Sequence, residues 1–153
     1  MGIRERFKTK HGEMNLRYKL IPKKEGIDFK EETIFFWSFI LQDTGAGYLF
    51  RYGRNTFNAN KCIYDGSRTD GSPVSNDGFD VSKEDALVMA RLFRGYAYVK
   101  RAQREEWEKK PEKEKVMLQS LLGKQAVPPV KEFLQKVEDL AEFCEQSEGF
   151  NIW

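Results

Sequence analysis

The sequence is poor in the residues that build metal centres and disulfide frameworks. Its 153 residues include one histidine and two cysteines, Cys62 and Cys144, and no C-x-x-C or H-x-x-x-H spacing. Structural zinc sites need closely spaced Cys and His ligands, so we expect no metal ion and no cofactor. We expect no secretory leader, and two cysteines then favour a reducing interior over a disulfide scaffold, although a single disulfide bridge remains an alternative.

Long hydrophobic runs are also missing. The longest extends from Ile34 to Leu41 and is interrupted by Ser38, whereas a membrane-spanning helix requires about 20 apolar residues. The first ten residues are charged, unlike the apolar centre of a signal peptide. We therefore expect a soluble, cytoplasmic protein without a membrane partner.

Motifs for catalysis and nucleotide binding are absent. The sequence contains neither G-x-S-x-G nor G-x-x-x-x-G-K-[ST], and Phe50 stands where a dinucleotide loop starting at Gly45 has its third glycine. The single histidine, His11, is not tied to a serine or cysteine by any recognisable motif. The sequence therefore leans against an enzyme, and no motif nominates a known family.

What the chain does contain is a large apolar content with balanced charge. Apolar residues make up 40%, charged residues 33% and aromatic residues 14%, which fits one globular domain over 1–153 with a sizeable core. The net charge of +2 does not by itself imply an anionic partner. Residues 1–30 are basic and residues 111–153 are acidic. Either the two ends lie close together and attract, or the first is a basic arm for an external anionic partner.

Strands are predicted at the two ends of the chain. Apolar and polar residues alternate before Pro22, which is typical of a half-buried strand and places one at about 13–21. The apolar segment 150–153 is short enough to pack as a final strand, and we expect its deletion to destabilise the domain. Short strand-like segments also occur at 48–52 and 61–64, and the rest of the stretch 48–80 is predicted to be connecting loop.

Helices are predicted from capping residues and periodicity. The segment 33–44 is apolar nearly all round, so a central strand is one interpretation. Its length and the following glycines favour the other interpretation, a helix with its N-cap near Thr33. Ser82 caps a helix from 83 to about 108, in which Gly95 marks a bend or a close backbone approach. Two further helices are expected at about 111–123 and 129–146.

The predicted core faces are rich in aromatic residues. The broad apolar sector of the 83–108 helix includes Val88 and Val99. The aromatic residues assigned to core faces are Phe35, Phe36, Trp37, Phe39, Phe93, Tyr96, Trp107 and Phe133. Cys144 lies on the apolar stripe of the last helix, so it is interpreted as a small buried hydrophobe, with a reactive or pairing thiol as the alternative.

These elements predict an α+β fold. We expect one helix-rich domain with about four helices and a small, mainly antiparallel sheet formed by the 13–21 strand, pieces near 48–64 and the terminal segment. Residues 1–12 are expected to be flexible.

A basic stripe on the 83–108 helix is the first candidate binding site. Its members fall within about 80° of one another on a helical wheel, and they are Arg91, Arg94, Tyr98 and Arg101. Arginine forks bind phosphate or carboxylate, and a tyrosine stacks on bases. Glu105 follows Arg101 by four residues, so the stripe can instead be internally neutralised. An internally paired face, a protein-binding surface and a nucleic-acid or nucleotide site are the three interpretations.

The loop over residues 65–80 is the second candidate. Long connections inside a compact domain are often binding loops, and this one offers Asp65, Arg68 and Asp70. A calcium loop starting at Asp65 would place Asp70 at the turn glycine and Asn76 at the bidentate glutamate, so that interpretation fails.

The sequence therefore favours a noncatalytic binding or interaction module. Its partner is expected to be another protein or a second copy, as in small bacterial or phage accessory proteins. Nucleic-acid or nucleotide binding through the basic helix face is the alternative. A small hydrolase or transferase, assembled only in the fold, is the weakest hypothesis.

Overall fold

The computed structural model describes residues 17–50, 73–74 and 78–153. Its four strands are β1 (Arg17–Pro22), β2 (Lys30–Thr33), β3 (Phe79–Val81) and β4 (Phe150–Ile152). Its helices are α1 (Ile34–Asp43), α2 (Lys83–Lys109), α3 (Glu112–Leu122) and α4 (Lys131–Gln146), with 3₁₀ turns at Ala46–Phe50 and Gly123–Ala126. The α+β class with a small antiparallel sheet is confirmed.

The terminal strand lies inside the sheet. The strand order is β2-β1-β4-β3, and all three pairings are antiparallel. Ile152 of β4 is paired with Leu20 on one side and with Phe79 on the other. The expected strand at 150–153 is thus confirmed, and it joins the two ends of the described chain.

Two expectations about strands are wrong. The piece at 48–52 begins in a 3₁₀ turn at Ala46–Phe50, because Tyr48 N–H donates to the Gly45 carbonyl, 3.1 Å, and closes the chain locally. Residues Phe79–Val81 form β3, although the sequence places them in a connection and a helix entry. A strand of three residues is too short to be predicted from the alternation of apolar and polar residues.

The core lies between one face of the sheet and the helices. Phe150 contacts Trp37 of α1 and Phe143 of α4, with ring centroids 6.4 and 5.4 Å apart. The other fully buried side chains of this core include Leu20, Ile40, Met89, Phe93, Val137, Leu140 and Ile152. The apolar stripe of α4 therefore packs as its periodicity predicts, and Cys144 is buried in it.

Four residues predicted for the core are exposed instead. Phe35 and Phe39 of α1 are 83% and 48% exposed, and Val88 and Val99 of α2 are 38% and 50% exposed. Helix α1 is apolar nearly all round, but only one side of it can face the sheet, so a helical wheel alone does not select the buried residues. The predicted sector of α2 is also wider than the surface that α4 and the sheet cover.

The helix ends follow their capping residues. The Thr33 hydroxyl accepts from Phe36 N–H and begins α1, and the Ser82 hydroxyl accepts from Asp85 N–H and begins α2. Gly123, with φ of 73°, ends α3. The expectations for 1–12, 61–64 and most of the 65–80 loop lie outside the described residues.

A buried turn steers the chain from α4 into β4. Ser147 is fully buried, and its hydroxyl donates to the Cys144 carbonyl and accepts from Gly149 N–H. Gly149 has φ of 93°, and a Cβ there would lie 2.6 Å from the Val81 carbonyl oxygen. This turn therefore requires glycine on both conformational and steric grounds.

We expect Gly149→Ala to destabilise the protein by about 2 kcal/mol or more, because the new methyl group meets backbone atoms and the backbone angle is strained.

Gly95→Ala is the matched control. Gly95 lies within α2, and a methyl group added there would meet no atom of another described element within 4 Å. The expected close approach at Gly95 is therefore wrong for the described residues, and this change should stabilise by up to about 1 kcal/mol. Urea unfolding measures both values, and equal effects of the two substitutions would contradict the role of Gly149.

Candidate functional site

The basic stripe of α2 is largely paired with α4. Arg94 binds Glu145 through two hydrogen bonds of 2.9 and 2.5 Å, and Arg101 binds Glu138. These bonds raise the pKa of both arginines, and Arg94 lowers the pKa of Glu145. The neutralising groups therefore come from α4, whereas the sequence predicts neutralisation by Glu105, which acts on Arg101 only at longer range.

The remaining members of the stripe are exposed. Arg91 lies on the surface, and Tyr98 is 79% exposed. A shallow cavity of about 510 Å³ is lined by Arg94, Tyr98, Arg101, Ala102, Glu105 and Glu138. Two arginines and two glutamates line it, so it presents no concentrated positive charge to a phosphate. The binding role of the stripe stays a prediction, and Asp65, Arg68 and Asp70 lie outside the described residues.

A more apolar groove lies at the far end of α2. Its volume is about 430 Å³, and its lining includes Trp107 of α2 with Leu118 and Leu122 of α3. Val127 and the Pro128–Pro129 segment complete its apolar lining. We call this cavity the α2–α3 groove. Trp107 is buried but lies outside the main core, so the groove has a separate small apolar centre.

One wall of the groove is held in place by polar contacts. Arg104 donates to the Pro128 carbonyl at 3.1 Å and to the Glu108 carboxylate at 3.1 Å. Lys131 at the start of α4 lies 3.8 Å from Glu108. These contacts join α2 to the segment that precedes α4, and they hold the pKa of Glu108 below its usual range. The proline wall is therefore built before any partner binds.

The opposite wall is α3, which has little support of its own. None of its residues is buried, and no side chain caps its first turn. Lys110 Nζ lies 3.5 Å from the Glu114 carboxylate and ties the turn between α2 and α3. Isolated helices shorter than about 12 to 15 residues are marginal in water, and α3 has 11 residues. Its stability therefore depends on the contacts that its side chains make with the rest of the protein.

The exposed side of α3 is apolar. Val116, Met117 and Leu121 are 56%, 53% and 74% exposed and lie within about 140° of one another at 100° per residue. We call these three residues the outer face of α3. Leu118 and Leu122 point to the other side, toward the groove. Sequence reasoning predicts the helix but not this face, because an apolar stripe ordinarily indicates core.

A buried carboxylate is the second feature that the sequence does not indicate. Glu32 of β2 is 4% exposed, and burial raises its pKa, which the positive charges of Lys30, Lys136 and Arg17 partly offset. Burial also raises the pKa of the Cys144 thiol, with a further contribution from the charge of Glu145. Cys144 is thus protonated at neutral pH, which fits a buried hydrophobe and not a nucleophile.

Comparisons with known proteins assign no family to this architecture: no protein family, curated protein or solved structure matches the chain. No helix in the described part of the chain has the length and apolarity needed to cross a membrane. Within the same residues, no group of three or more His, Cys, Asp or Glu side chains is placed to hold a metal ion.

We expect Glu32→Gln to stabilise the protein more at neutral pH than at acid pH. Burial raises the pKa of Glu32 in the folded protein above its ordinary value of 4.5. The free energy of unfolding of the wild type therefore falls as the pH rises from 4.5 through the folded-state pKa, because the buried carboxyl group then ionises. Glutamine does not ionise and avoids this cost.

Urea unfolding of the variant and the wild type at about pH 4 and about pH 7 tests this expectation. Glu31→Gln is the control, since it removes the same charge from the exposed side of β2. A Glu32→Gln effect that is the same at both pH values would contradict it.

Proposed function

We propose that this protein is a noncatalytic interaction module that binds another polypeptide chain through α3 and the α2–α3 groove. The outer face of α3 carries the proposal. An 11-residue helix that buries none of its residues presents its largest apolar side chains to solvent. Exposed apolar surface next to a preformed groove is typical of a protein-binding site.

The architecture of the groove supports binding in a defined orientation. Trp107 forms a buried aromatic floor, and tryptophan is enriched among the residues that dominate interface energies. Polar contacts of Arg104 hold the proline wall, so less freedom is lost when a partner binds. Lys100 and Lys110 lie at the polar rim.

The basic stripe supports the alternative function less well. Nucleic-acid binding depends on cations that neutralise phosphates. Arg94 and Arg101 already bind carboxylates of α4, so phosphate binding would have to break two ion pairs. The partner therefore binds at α3, and the arginines of the stripe join α2 to α4.

Site-specific photocrosslinking in the native cells tests the proposed surface. The photoreactive residue p-benzoylphenylalanine at position 121 should form a discrete adduct with one polypeptide. The same residue at position 35 is the matched control, because Phe35 lies on α1 and is at least as exposed as Leu121.

Two outcomes of the crosslinking experiment would contradict the proposed surface, and a third would support it. Adducts at position 35 without adducts at position 121, or none at either position, would contradict the proposed surface. An adduct at position 121 that disappears when Met117→Glu is added, with the circular dichroism spectrum unchanged, would place the binding energy on the outer face of α3.

A further inference from the structure

Three hydrogen-bond donors on one side of α2 have no acceptor in the described part of the chain. The side chains of Lys100, Gln103 and Trp107 line the α2–α3 groove and lie within about 60° of one another at 100° per residue. Trp107 is only 7% exposed, yet no described group accepts from its indole N–H. Buried Trp37 shows the ordinary arrangement, since its indole N–H donates to the Pro73 carbonyl at 2.9 Å.

The unpaired N–H of Trp107 favours an occupant that carries an acceptor. A buried donor without a partner costs about 1 to 3 kcal/mol. The side chains of Leu118, Leu122 and Val127, which also line the groove, contain no acceptor. An occupant that brings an acceptor to Trp107 therefore recovers free energy that apolar contact alone does not supply.

The charges of the groove favour an anionic acceptor. Lys100 contacts an aromatic ring, but it forms no ion pair with a carboxylate of the residues that the structure describes. The other lysine of the lining, Lys110, lies 3.5 Å from Glu114, and the carboxylate of Glu106 lies 3.6 Å from Lys109. The charge of Lys100 is therefore the one that remains for an occupant among these described groups.

From these unpaired donors and this charge we infer that the partner polypeptide places an acidic side chain, flanked by apolar ones, in the α2–α3 groove. The inference rests on the proposed function and specifies the chemistry of its partner. The partner's carboxylate accepts from the Trp107 N–H and the Gln103 amide, and Lys100, about one turn further along α2, supplies an attractive charge. The flanking apolar side chains contact Leu118 and Leu122.

Titration with two peptides, followed by ¹H–¹⁵N NMR of the full chain, tests this inference. The probes are acetyl-Leu-Glu-Leu-amide and acetyl-Leu-Gln-Leu-amide, which differ only in the carboxylate. The glutamate peptide should shift the indole N–H resonance of Trp107 and leave that of Trp37 in place, because the Trp37 N–H is already bonded. The glutamine peptide should bind roughly 3- to 10-fold more weakly, because its acceptor is uncharged.

Three substitutions separate the groups of the site. Trp107→Phe keeps an aromatic ring and removes the N–H, and Lys100→Met keeps an apolar stem and removes the charge. Each should weaken the glutamate peptide by roughly 3- to 10-fold, measured from the Gln103 amide resonances. Lys113→Met is the matched control, since it removes the same charge from an exposed position on α3 outside the groove and should leave binding unchanged. Lys100→Met alters no buried residue, so it remains decisive if Trp107→Phe does not fold.

Three results would overturn the inference. These are equal binding of the two peptides, a Trp107 resonance that neither peptide shifts at millimolar concentration, and tighter binding of octanoate than of the glutamate peptide, which would assign the groove to a free organic acid. The photocrosslinking experiment distinguishes them from a failure of the proposed function. A discrete adduct at position 121 together with any of these results contradicts only the acidic segment, whereas no adduct at either position contradicts the proposed surface itself.

Discussion

The insertion of β4 between β1 and β3 is the constraint on which the rest of the described structure depends. It pairs Leu20 with Ile152, residues from the two ends of the described chain. Closing so long a loop is entropically costly, so the pairing must be supported by burial of the side chains that it brings together. Phe150 meets rings from both α1 and α4 and is completely buried. The last strand is therefore the element that closes the core.

The position of β4 determines the position of α4 and, through α4, the position of α2. The buried Ser147 turn delivers the chain directly from α4 to β4, so the position of the helix follows from that of the strand. Helix α2 has 27 residues and extends for about 40 Å, longer than the sheet can cover. Ala97 is its last residue in the main core. The remaining turns extend beyond the sheet, where Trp107 supplies the centre of a second apolar cluster.

Local patterns in the sequence predict the elements better than they predict the surfaces. Capping by Thr33 and Ser82 and the stripe of α4 are local, so the corresponding helices are predictable. The exposed position of Phe35 depends on which side of α1 meets the sheet, and the sequence does not encode this locally. The α2–α3 groove brings Trp107 together with residues of α3 and the proline segment. Its lining depends on the angle between helices, which no periodicity reveals.

The two sides of α2 have different roles because they face different neighbours. Arg94 and Arg101 lie seven residues apart on the side toward α4 and bind Glu145 and Glu138 there. Trp107 faces the groove, together with Lys110, which holds the start of α3 through Glu114. These two ion pairs lie on the solvent side of the contact between α2 and α4, and Arg104 of α2 holds the proline wall through the Pro128 carbonyl. Because that contact exists before binding, apolar contact of a partner with α3 would contribute more of its free energy to association.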